Sequence, residues 1–172
     1  MAEILDKFTD CIGNTPVLRL QKLSESCGCL TPILAKLEFF SPGGSVKDRA
    51  ALAMLEGAMQ RGQLAPGGTV ISASAGNAGL SLAMVCAVMG LKCIIVLPDT
   101  VPELRRKHLQ RYGAQVVAVP AEACASTVET LKKANPGAFV PDQFRNEDNA
   151  LAHRKTGEEL LRQGGNIDYF VA

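Results

Sequence analysis

TVISASAGNAGLSLAMVCAVMGLKCIIVLP, residues 69–98, is the stretch that decides the fold. TVIS reads as a short buried strand following the turn signal APGG at 65–68. AGLSLAMVCAVMG, 78–90, is apolar nearly all round and stops at a glycine, which predicts a buried helix. KCIIVLP, 92–98, is rich in β-branched residues and closed by a proline, so it reads as a second strand.

The same alternation extends on both sides. RAALAMLEGAMQRG, 49–62, places Leu52, Leu55, Ala58 and Met59 at helical spacing. PELRRKHLQRYG, 102–113, predicts a more polar helix with proline near its start and glycine at its end. AQVVAVP, 114–120, is again a strand, followed by a weaker helix over about 122–134 and a strand near 138–140. A last helix covers 149–163, and IDYFVA, 167–172, reads as an apolar strand. Strands alternating with helices of this length predict an α/β fold, a parallel twisted sheet with helices on both faces. A parallel final strand expects a covering helix after it, so the sequence reads as stopping in mid-architecture.

Composition sets limits on function. The 172 residues are 47% hydrophobic and 20% charged with a net charge of +1, which gives no electrostatic footprint for nucleic acid or an anionic membrane. Tryptophan is absent, which argues against a base-stacking surface. The acidic start MAEILD is not a signal peptide, and the apolar stretch from Leu80 to Leu97 is interrupted by Gly90 and Lys92. A cytoplasmic protein is expected. Six cysteines lack the paired spacing of a zinc site, and Cys86 and Cys93 fall inside apolar runs, so reduced structural thiols and no metal are expected.

Two segments carry chemistry. In SPGGSVKDR, 41–49, Ser45 and Asp48 fit a capping box, with Ser45 as N-cap, which puts Lys47 at the second helical position and Arg49 at the fourth. A lysine at a helix start sits against the macrodipole, which disfavours its ammonium form, and a neutral amine is what Schiff-base chemistry with a carbonyl requires. A capped helix with a solvated lysine fits the spacing equally well. In SASAGNAG, 72–79, backbone amides lead into a helix N-terminus, a ready anion site for a carboxylate or phosphate. An ordinary βα loop, with Asn77 tolerating a positive φ, is the alternative there. Neither the dinucleotide nor the P-loop pattern is present. Asp99 after a strand, LRRK at 104–107 and PDQF at 141–144 are consistent with plain turns and a solvated helix face, and His108 and His153 define no triad.

IGNTPVLRL (12–20), KLEFFSPGGSVKDR (36–49), SAGNAG (74–79), LPDTVPELRRKHLQRYGAQVV (97–117) and DQFRNEDNALAHRKTGEEL (142–160) occur in the order seen in one family. The chain resembles the cysteine synthase (O-acetylserine sulfhydrylase) family of fold-type II pyridoxal-phosphate enzymes. The resemblance implies a PLP-dependent transferase of cysteine and amino-acid biosynthesis that replaces the β-substituent of O-acetylserine with sulfide through an aminoacrylate. Ser-Val-Lys-Asp-Arg, in place of the Ser-Phe-Lys-x-Arg of threonine dehydratases, favours that β-replacement branch. It further implies that Lys47 forms the internal aldimine with the cofactor, that Asn77 hydrogen-bonds the cofactor's phenolic oxygen, and that Ser74, Ala75, Gly76 and Ala78 bind the substrate carboxylate with help from Gln143. By the same resemblance, 1–37 begins a large domain, 38–145 is a small mobile α/β domain and 146–172 starts the rest of the large one. A homodimer is expected of the full-length protein, and a serine acetyltransferase C-terminal tail is a candidate partner.

Departures from the family pattern matter. Thr-Ser-Gly-Asn-Thr is usual where this chain has Ser74-Ala75-Gly76-Asn77-Ala78, so two hydroxyls are missing, each worth about 1.5–3 kcal/mol as a bond to a charged group. The family's Gly-Thr-Gly-Gly-Thr phosphate loop would follow Ala172, so weak cofactor binding and little activity are expected of these residues alone. Other readings are a non-catalytic module that binds a partner's carboxylate tail, and a β-replacement enzyme using O-phosphoserine or, like cystathionine β-synthase, homocysteine with serine.

Overall fold

The computed structural model describes residues 4–172; Met1 to Glu3, part of the acidic start, lie outside the described residues. Among the described residues, five strands and six α-helices follow one another in mixed order. β1 (Val17–Arg19) and β2 (Leu34–Lys36) form a small antiparallel pair joined through α1 (Gln21–Ser26), a pairing the sequence patterns do not announce. The central unit is parallel: β3 (Thr69–Ala73), β4 (Lys92–Pro98) and β5 (Gln115–Val119) lie side by side in chain order.

α3 (Asn77–Met89) connects β3 to β4, and α4 (Glu103–Arg111) connects β4 to β5. Right-handed crossovers moving in one direction put both helices on one face. There Val70, Ile95 and Leu97 pack with Leu82, Met84, Val85 and Cys86 of α3 and with Leu55 and Ala58 of α2 (Lys47–Gln60). α3 is buried from Gly79 to Cys86 because the sheet lies beneath it and α2 and α4 flank it, which is why its sequence is apolar on every side. Gly90 closes it in the left-handed region at φ 68°. The alternate side chains Ile71, Ile94 and Val96 face the other way, onto Val128 of α5 (Cys124–Ala134). The parallel sheet therefore has helices on both faces, as the alternation predicts.

After α5 the chain returns to the opposite edge of the sheet. The strand expected near 138–140 is reduced to one bridge, Val70 with Phe139, where Ile71 N–H donates to Phe139 O and Phe139 N–H to Thr69 O, each at 2.9 Å. Gly137 before it and Pro141 after it leave too few residues for a longer ladder. This return matters more than its length. Strand order runs one way from β3 to β5 and reverses between β3 and Phe139, so the carboxyl ends of these two neighbours open a crevice of the kind that binds ligands in α/β sheets.

α6 (Glu147–Gly164) starts at Asn146, whose side chain accepts the Asp148 N–H at 3.0 Å, and packs along α2. The C-terminal IDYFVA is not a strand: among the described residues it forms no ladder with another strand, and Tyr169 and Val171 are 89% and 91% exposed.

Candidate active site

Three segments line one open cavity of about 480 Å³ at the sheet's reversal point: Ser45–Lys47, Ala73–Ala78 and Gln143–Phe144. Lys47, Ser74, Ala75, Gly76, Asn77, Ala78 and Gln143, all seven site residues expected from the sequence, are brought together here. They come from the start of α2, the turn after β3 and the turn after Phe139.

The turn before α2 differs from the expected capping box. α2 starts at Lys47 with Val46 as N-cap, so Lys47 is the first helical residue and Arg49 the third. The Ser45 hydroxyl accepts from Lys47 N–H at 3.2 Å rather than from Asp48. Asp48 reaches further back and accepts from Gly43 N–H at 2.6 Å, and from the Ser81 hydroxyl at 2.5 Å. The long reach wins because Gly43 has no side chain: a Cβ there would collide with the Asp48 carboxylate. The Lys47 side chain is half-buried, and its amine has no hydrogen-bond partner among the described residues.

In the loop after β3, the half-buried Ser74 hydroxyl accepts from Gly79 N–H at 2.9 Å and Gly76 N–H at 3.4 Å. That caps α3 and leaves the hydroxyl's own proton free to donate. The N–H groups of Ala75, Asn77 and Ala78 have no acceptor among the described residues, and the Asn77 side chain is exposed to the cavity. Unpaired amides at a helix start favour an anion. Gln143 follows Asp142, held at φ 41°; its backbone carbonyl accepts from the Asn149 side chain at 2.7 Å, and its side-chain amide has no partner among the described residues.

Beneath the site lies a buried ion network that sequence reasoning missed. Arg49 grips Glu159 with both terminal nitrogens at 2.8 Å and Glu38 through Nε at 2.8 Å, while Lys36 reaches Glu159 at 2.6 Å. Burial alone would raise the Glu159 pKa, but the bonds from Arg49, Lys36 and the Asn14 N–H outweigh it and hold it at about 2. The bond to Glu159 raises the pKa of Arg49. His153 of α6, which the sequence sets in no triad, has its pKa lowered by burial and then by the charges of Lys47 and Arg49, which favours the neutral ring. No local motif signals the ion network, since its partners lie on distant segments.

A profile of the pyridoxal-phosphate dependent enzyme family matches residues 8–172. The chain belongs to that family. The pyridoxal-phosphate enzymes similar to it include cystathionine beta-synthase from Mus musculus, 41% identical over 179 aligned positions that cover 99% of this chain and 32% of the relative. Cysteine synthase from Staphylococcus aureus strain Mu50 is also 41% identical, over 98% of this chain and 56% of its own length. Among solved structures, O-ureido-L-serine synthase superposes with a TM-score of 0.89 at 35% identity, over 96% of this chain and 54% of that one. A hydrogen sulfide-producing enzyme from Fusobacterium nucleatum gives 0.84 at 36%, over 94% and 54%. The chain thus spans a third to just over half the length of these relatives. The fold is that of fold-type II pyridoxal-phosphate enzymes.

The cavity suits the family's cofactor at its aldehyde end. A half-buried amine without a partner among the described residues would be open to an aldehyde, and the volume lies within the range that holds a small aromatic ligand. Lys47 is the one charged side chain among the described residues that line it.

Proposed function

We propose that the protein is a β-replacement enzyme of the cysteine synthase kind, acting on an O-activated serine such as O-acetylserine with sulfide as nucleophile. The observation that carries this reading is the meeting of Lys47, the 74–78 loop and Gln143 around one cavity. Pyridoxal phosphate, when bound, supplies an electron sink for the charge left as a substrate Cα proton departs. Lys47 would hold the cofactor through its amine and, once the substrate's own amine has taken its place there, the freed nitrogen would carry that proton to and from the substrate. The Asn77 side-chain amide would donate to the phenolic oxygen of the cofactor ring. The N–H groups of Ala75, Asn77 and Ala78, the Gly76 turn, the Ser74 hydroxyl and the Gln143 amide hold the substrate carboxylate. With alanine at 75 and 78, backbone N–H groups supply most of that grip.

In this reading 38–145 forms a small mobile domain, 1–37 and 146–172 belong to a larger one, and the full-length protein is a homodimer. The carboxylate subsite would also accept the C-terminal tail of a serine acetyltransferase, which would then compete with substrate. The equal identity to cysteine synthase and cystathionine beta-synthase supports β-replacement without choosing its substrate pair.

Steady-state rates of the full-length enzyme test this. Turnover of O-acetylserine with sulfide is expected, and Gln143→Ala should raise KM for the serine derivative about tenfold while changing kcat less. Turnover confined to serine with homocysteine, or to O-phosphoserine, would replace the substrate assignment. Binding of a tail peptide with no turnover of any pair would replace the enzyme reading with that of a carboxylate-binding module.

A further inference from the structure

We propose that Asp48 is a positioning residue, whose carboxylate ties the turn presenting Lys47 to helix α3 and so sets the gap between Lys47 and Asn77. The inference rests on the reading of those two residues as cofactor contacts. Asp48 follows Lys47 directly and is 0% exposed. One oxygen takes the Gly43 N–H, in the glycine pair leading into Lys47; the other takes the hydroxyl of Ser81, itself 0% exposed. Ser81 stands four residues after Asn77, one turn on and on the same helical face. A short chain of contacts therefore connects the two walls of the cavity, from the lysine turn through Asp48 and Ser81 to the base of the asparagine.

The arrangement is costly for stability. A fully buried carboxyl without a cation at ion-pair distance among the described residues is disfavoured, and two donors satisfy only part of its capacity. Burial raises its pKa, the bonds from Ser81 and Gly43 pull it back, and the charge of Glu38 adds to the rise. An apolar side chain would fill the space without that cost but would reach neither Gly43 nor Ser81. What the carboxylate adds is geometry at both walls of the cavity.

The test compares Asp48→Ala, Ser81→Ala and Asp48→Asn as cofactor-free proteins. Acetylation of Lys47 by acetic anhydride is followed across pH by peptide mass spectrometry, as a ratio to the exposed Lys92 in the same sample, beside a thermal melt. Freed from its tether, the Lys47 turn should change that ratio about threefold or more in both alanine variants. Asparagine can accept from Gly43 N–H and donate to Ser81 Oγ, so Asp48→Asn should restore both the ratio and its pH profile. Alanine variants with lowered melting temperature and an unchanged ratio would overturn the proposal, leaving Asp48 a support of the fold alone. An asparagine variant matching Asp48→Ala would overturn it as well, since charge and not hydrogen bonding would then be the operative property. If Asp48→Ala does not fold, an unchanged ratio in Ser81→Ala, or a shifted one in Asp48→Asn, overturns the proposal in the same way. No cofactor enters the measurement, so its failure is separable from a failure of Lys47 to bind one.

Discussion

Arg49 and Glu159 lie 110 positions apart in the sequence and 2.8 Å apart in the structure. Their pair, joined by Glu38 and Lys36, bolts the first turn of α2 to α6 and β2 just behind Lys47. Arg49→Ala would leave half-buried Glu38 without its bound cation and Glu159 with Lys36 as its remaining one, and a loss of about 3 kcal/mol in chemical denaturation is expected. The pH dependence follows from the same network. Glu159 is held near 2 against an ordinary 4.5, so its stabilisation is complete above pH 4.5 and is lost as pH falls from there towards 2. Asp48 works in the opposite sense: its raised pKa makes its burial cheapest at low pH. Acid denaturation of Arg49→Ala should therefore be shallower than that of the unmodified protein between pH 4.5 and 2; an equal slope would remove Glu159 as the titrating group. Of this, the sequence shows the motif residue Arg49 and nothing of its partners, because ion pairs between distant segments leave no periodic trace.

The elements themselves were largely readable where burial is uniform. α3 and β4 stand out because an all-round apolar helix and a β-branched run beside it can be satisfied only inside a covered parallel sheet. Lys47 at a helix start and the amide-rich turn after β3 were equally legible, since turn glycines and a misplaced charge are local signals. Three local readings gave way to tertiary context. The capping box at Ser45 yielded to the longer reach of Asp48, the strand at 138–140 shrank to a bridge, and IDYFVA forms no ladder among the described residues. Gly90 shows how local chemistry sets an element's end. Gly90→Ala forces a side chain into the left-handed region at φ 68°, and about 1–2 kcal/mol of destabilisation is expected in a thermal melt. An unchanged melting temperature would mean that the α3–β4 turn relaxes without cost.

For the molecule as a whole, the site exists because strand order reverses. β3 carries the Ser74–Ala78 loop, the returning segment at Phe139 carries Gln143, and α2 brings Lys47 to the same crevice. No one of these segments makes a site, and their convergence is what the linear order of motifs could imply only through resemblance. The central claim is that Lys47 is the residue that holds the cofactor. Full-length protein incubated with pyridoxal phosphate, reduced with borohydride, digested and sequenced by mass spectrometry tests it directly. The account predicts one phosphopyridoxyl mass increment, on the peptide containing Lys47, abolished in Lys47→Ala. An increment on another lysine, or one that persists in Lys47→Ala, would contradict it.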